Sequence, residues 1–74
     1  MGEGIYSEDQ KHLVKQLKAA RKSLGLSQSQ VAKKIGKTQS YISKIESGQS
    51  KIDIFQLKEF SLLYKRPLNF FVKK

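Results

Sequence analysis

Residues 27–48 run Ser27-Gln28-Ser29-Gln30-Val31-Ala32-Lys33-Lys34-Ile35-Gly36-Lys37-Thr38-Gln39-Ser40-Tyr41-Ile42-Ser43-Lys44-Ile45-Glu46-Ser47-Gly48, two short helical patterns with almost nothing between them. Ser27 and Gln30 have the spacing of a capping box, in which each side chain bonds the other's backbone N–H and opens a helix. Val31, Ala32 and Ile35 then point inward and Lys33-Lys34 outward, until Gly36 ends the turn. Lys37-Thr38 restarts the chain, Ile42 and Ile45 give the next helix its buried edge, and Ser47-Gly48 ends it. Only Gly36 and Lys37 separate Ile35 from Thr38. A joint this tight cannot lay two helices side by side, so it crosses them at a large angle. Glycine at the joint allows a positive φ without a Cβ clash.

Upstream, Leu13, Leu17, Ala20 and Leu24 fall at i, i+4, i+7 and i+11, one stripe of a 3.6-residue period, with Lys11, Lys15, Lys18 and Lys22 on the opposite face. Ser7 and Gln10 repeat the capping-box spacing at its start, and Gly25 suits the left-handed residue that closes it. Downstream, Asp53 and Gln56 are placed to cap a fourth helix, with Ile54, Leu57, Phe60, Ser61 and Tyr64 along one face. Pro67 fits the first turn of a last short helix carrying Leu68, Phe71 and Val72. No segment alternates with period two for long. The expectation is an all-α chain, five short helices around one core.

Composition narrows the class. A chain of 74 residues holds one domain, and without cysteine it has neither disulfides nor thiolate ligands. One histidine and dispersed acids supply neither a metal cluster nor an acid–base pair, so no cofactor, metal or enzymatic activity is expected. Met1 to Asp9 has neither the basic start nor the apolar stretch of a signal peptide, and no apolar run reaches the roughly 18 residues of a membrane span, so a cytoplasmic location is expected. The formal charge of +9 favours a polyanionic partner, nucleic acid first and an anionic membrane surface second. A membrane partner fits poorly, because no helix offers a broad lipid-facing stripe outside the core.

The tight second-to-third joint is helix-turn-helix geometry, whose second helix can enter a DNA major groove. Residues 13–72 resemble the Cro/repressor-type (lambda repressor-like, XRE-like) helix-turn-helix family. The resemblance rests on Gly25-Leu26-Ser27-Gln28, Val31-Ala32-Lys33-Lys34-Ile35-Gly36 and Ser40-Tyr41-Ile42-Ser43-Lys44-Ile45-Glu46-Ser47-Gly48. It implies a five-helix DNA-binding domain over residues 9–74, commonly dimeric, acting as a repressor, activator or antitoxin. Residues 1–8 lie outside the pattern as an N-terminal extension. Lys65-Arg66-Pro67 departs from it, standing where the family often has Gly, an apolar residue and a Ser or Thr cap.

With Ile42 at the centre of the third helix's buried face, Ser40, Ser43, Lys44 and Ser47 point outward and Gln39 sits at the margin. Gln39 is the best base reader, since an amide can donate to adenine N7 and accept from N6 together. Lys44 can donate to guanine, while Ser40 and Ser43 discriminate less or read through water. Ser47 reads as a helix end. The alternative is an ordinary solvated face. Gln28 aligns with the family glutamine that holds a backbone phosphate, at a helix end whose free amides also favour an anion. Lys37, Thr38, Ser50 and Lys51 flank the projecting helix as further phosphate clamps, although Thr38 can serve only as a cap. The first helix's lysine face, by the resemblance, points away from the duplex and serves solubility and long-range attraction. Arg21 and Glu46 resemble the family's internal ion pair, which ties the first helix to the end of the third.

Phe55 and Leu62 lie nearly in line on the fourth helix, away from its core stripe, and Phe70 occupies a position that the family often leaves polar. Together they suggest a dimer surface. The functional expectation is a regulator that binds double-stranded DNA as a homodimer and reads a palindromic operator. The alternative is an antitoxin-like module holding a protein partner; contact with polymerase is a further option for an activator.

Overall fold

A computed structural model describes residues 8–72 of the chain. Among them are four α-helices, α1 (Glu8–Ser23), α2 (Gln28–Ile35), α3 (Gln39–Glu46) and α4 (Ile54–Tyr64), followed by a single 3-10 turn, Leu68–Phe70. The expected fifth helix is therefore a correction. Phe70 N–H bonds the Pro67 carbonyl and Phe71 N–H that of Leu68, both i to i+3, and no i to i+4 ladder follows among the described residues. Pro67 stands just outside this turn in an extended conformation, not within it. The anticipated Ser7 cap lies outside the described residues.

Local chemistry accounts for the boundaries. Ser27 with Gln30 and Asp53 with Gln56 both form reciprocal capping boxes, and the Thr38 hydroxyl accepts the Tyr41 N–H to open α3. Gly36 ends α2 at φ 70°, in the left-handed region. That reversal lets Lys37 N–H bond the Ala32 carbonyl at 2.8 Å, closing the last turn as α3 begins. Lys65 ends α4 in the same conformation, φ 57°, where a Cβ makes it unfavourable.

All four helices contribute to one core, joined by the residue after the last turn: Leu17 and Ala20 from α1, Val31 and Ala32 from α2, Ile42 and Ile45 from α3, Leu57, Phe60 and Tyr64 from α4, and Phe71. Phe60 and Tyr64 stack at 5.7 Å between ring centroids, and Phe70 meets Phe71 edge-on. Three apolar side chains expected on inward faces are instead exposed: Leu24, Ile54 and Val72. Leu24 falls after the last residue of α1, where the reversal at Gly25 breaks the helical register, and Leu26 packs on the core in its place. Ile54 is the first residue of α4 and overhangs the core edge, which Ile52 covers. Val72 follows the 3-10 turn and shares no helical face with Phe71. Among the described residues no helix is long and apolar enough to cross a membrane.

Candidate nucleic-acid interface

Helix α3 buries Ile42 and Ile45 and leaves Gln39, Ser40, Ser43 and Lys44 exposed. The short residues between them keep large apolar side chains off the outward face. Ser47 donates its hydroxyl to the Lys44 carbonyl at 3.2 Å, which makes it a helix end.

Behind this face runs a chain of polar contacts that starts inside the molecule. Arg21 on α1 and Glu46 on α3 form a two-point pair, Nε to Oε2 at 2.7 Å and Nη2 to Oε1 at 2.9 Å. Both side chains are buried, and Arg21 Nη1 also donates to the Leu26 carbonyl at 2.8 Å. The bond to Glu46 holds the Arg21 pKa above its ordinary value, against the opposing effect of burial. Burial raises the pKa of the neighbouring Tyr64 phenol, and the Glu46 charge adds to that shift while Arg21 opposes it.

Gln28 Nε2 donates to the same Glu46 Oε1 at 3.2 Å, and Gln39 Nε2 donates to Gln28 Oε1 at 3.1 Å. A carboxylate only accepts, so Glu46 fixes which end of the Gln28 amide faces it. The Gln28 oxygen is then left toward Gln39, which must present its nitrogen. Gln39 thus retains one N–H and its carbonyl oxygen for an outside partner, the donor–acceptor pair that adenine matches in the major groove. Sequence reading placed Gln28 and Gln39 at the site separately. Their direct bond depends on how the turn brings two helices together.

Lys37 stands over the Tyr41 ring at 5.3 Å, and Tyr41 Oη accepts from Gln56 Nε2 at 2.7 Å, which ties α3 to the start of α4. Thr38 acts as the α3 cap, its hydroxyl proton remaining available for donation. Ser50 is half-buried, its N–H closing on the Lys44 carbonyl, and Lys51 is exposed. From Gln10 to Ile45 the chain carries no Asp or Glu, and Glu46, the next acid, is neutralised by Arg21.

The lysine face of α1 is not uniformly remote from this region. Lys18 lines a groove together with Arg21, Gln28, Ser43, Glu46 and Ser47. A second groove beside α3 is lined by Lys33, Lys37 and Gln39 with Ser29, Gln30 and Ala32. Lys18 and Lys33 thus border the grooves beside α3, a placement that depends on how the helices pack. Phe55 and Leu62 are 75% and 80% exposed, whereas Phe70 is half-buried against the core with Arg66 over its ring at 5.2 Å. Among the described residues no group of His, Cys, Asp or Glu is gathered closely enough to hold a metal ion.

Comparison with curated proteins and with solved structures gave no match. The helix-turn-helix family profile matches residues 17–71, from the middle of α1 through the buried Phe71. That span holds the turn, the exposed face of α3 and the ion pair behind it, and the chain belongs to the Cro/C1-type (XRE-like) helix-turn-helix family of DNA-binding regulators.

Proposed function

We propose that this chain is a sequence-specific transcriptional regulator that binds double-stranded DNA as a homodimer and reads a palindromic operator through the major groove. The observation that carries this is the relay Arg21–Glu46–Gln28–Gln39, which fixes the orientation of an exposed amide on an otherwise small and polar helix face. A merely solvated face has no need of a buried charge behind it. Gln39 is the principal base reader, Lys44 a guanine contact, and Ser40 and Ser43 permit close approach or act through water.

Gln28 retains an N–H for a phosphate, beside the free amides that open α2. Lys37, Thr38, Ser50 and Lys51 set register on the backbone without reading sequence. Residues 9–74 act as the DNA-binding domain. A site overlapping a promoter would give repression by exclusion.

Phe55, Leu62 and Phe70 form the proposed dimer surface, the first two exposed and Phe70 half-buried. A twofold dimer sets its reading helices roughly 34 Å apart, about one turn of duplex. Exposure of these two large side chains also favours the second reading, an antitoxin-like module holding a protein partner, but the reading face has no part in that activity. Selection of bound fragments from a genomic library tests the proposal. A palindromic consensus with half-sites one turn apart supports it, and recovery of unrelated sequences rejects it.

A further inference from the structure

We infer that Lys11, Lys15 and Lys18 form a second phosphate track, continuous with the reading face, that holds the DNA backbone beside the half-site; the inference rests on the proposed duplex binding. The three lysines border a groove of ≈ 400 Å³ with Gln10 and Val14 on one side and Ser47 and Gly48, at the end of α3, on the other. Lys18 and Ser47 also line the smaller groove that contains Gln28 and Ser43. The two grooves therefore meet, and a strand lying along the reading face has a path between α1 and the end of α3.

Charge favours the same occupant. All three lysines are exposed, and none pairs with a carboxylate among the described residues. Like charges at this helical spacing repel one another, and a polyanion converts that repulsion into attraction. From Lys11 to Lys18 the helix rises about 10 Å, which lets its ammonium groups meet successive phosphates of one strand. The end of α3 does not oppose an anion strongly. Gly48 N–H closes on the Ile45 carbonyl, and both Gln49 and Ser50 N–H close on that of Lys44, so two of the carbonyls at this helix end are engaged. An acidic peptide would meet the same lysines, but the junction with the Gln28 and Ser43 groove favours an occupant that lies on both.

The test uses the full chain and the operator recovered by selection, with a triple variant K11Q/K15Q/K18Q and a charge-matched control K22Q/K34Q/K58Q. Loss of the track should lower the salt slope of binding by about 3 while leaving sequence preference intact. Phosphate-ethylation interference should then lose a contiguous run of positions in the triple variant, and none in the control. An unchanged interference pattern, or an equal fall in slope for the control, overturns the track alone. Wild-type protein with no operator preference overturns the duplex-binding proposal and the track with it.

Discussion

Gln39 on α3 donates its side-chain Nε2 to Gln28 Oε1 on α2 at 3.1 Å, while Gln28 in turn donates to buried Glu46 at 3.2 Å. One residue expected to hold a phosphate and another expected to read a base are thus a single mechanical unit. Their chain ends in a charge pair inside the molecule. Gln28→Ala should therefore weaken more than a phosphate contact: it should also loosen discrimination at the base that Gln39 reads. A double-mutant cycle of Gln28→Ala and Gln39→Ala on operator binding should give a coupling of about 0.5–3 kcal/mol. Strict additivity would mean that the two act independently.

Arg21→Ala should be the most damaging single truncation near the site. It leaves Glu46 buried and charged without its cation, at a cost of about 3–5 kcal/mol, and it frees the Leu26 carbonyl as well. Denaturant unfolding measures this loss. The pairing is two-pronged, so Arg21→Lys should recover only part of it. A melting curve unchanged by Arg21→Ala would show that the pair is not needed for the fold.

Lys65 occupies a left-handed conformation, φ 57°, at the end of α4. Glycine there removes the Cβ penalty but adds freedom to the unfolded chain, so Lys65→Gly should stabilise by a net of about 0.5–1 kcal/mol. For a domain this small the midpoint should rise by roughly 4 °C. Thermal unfolding followed by circular dichroism reads this directly, and operator affinity should change little.

Leu62 and Phe55 give the dimer proposal its handle, because both are large, apolar and exposed. Leu62→Glu should leave the monomer fold intact and raise the dimer dissociation constant by tenfold or more, about 1.4 kcal/mol. Sedimentation equilibrium tests this. Phe70→Lys is a poorer probe: Phe70 is half-buried against the core, so its loss also disturbs the packing around Phe71. A Leu62→Glu dimer constant equal to wild type would remove this surface from the interface.

Much of the fold was legible because it is written locally. The capping boxes at Ser27/Gln30 and Asp53/Gln56 and the stop at Gly36 each depend on residues within a few positions of one another. Periodicity puts Leu24, Ile54 and Val72 on inward faces, because the pattern continues on paper after the backbone has turned or the core has ended. Pro67 permits a helix start, and only the observed i to i+3 bonds distinguish the 3-10 turn from the expected last helix. In the site, the outward face of α3 followed from a count of 100° per residue. The Gln28–Gln39 bond and the position of Lys18 did not, since both depend on how separate helices are set against one another.

Competitive titration of operator against random duplex, with wild type, Gln39→Ala and Lys51→Ala, bears most directly on whether the exposed face of α3 reads sequence. Wild type should prefer its operator by roughly a thousandfold or more at physiological salt. Gln39→Ala should lose about 1–3 kcal/mol of that preference at one base position, and Lys51→Ala should weaken every duplex alike while lowering the salt slope by about 1. Equal binding of all duplexes by the wild type, or a Gln39→Ala variant that discriminates as well as the parent, would contradict it.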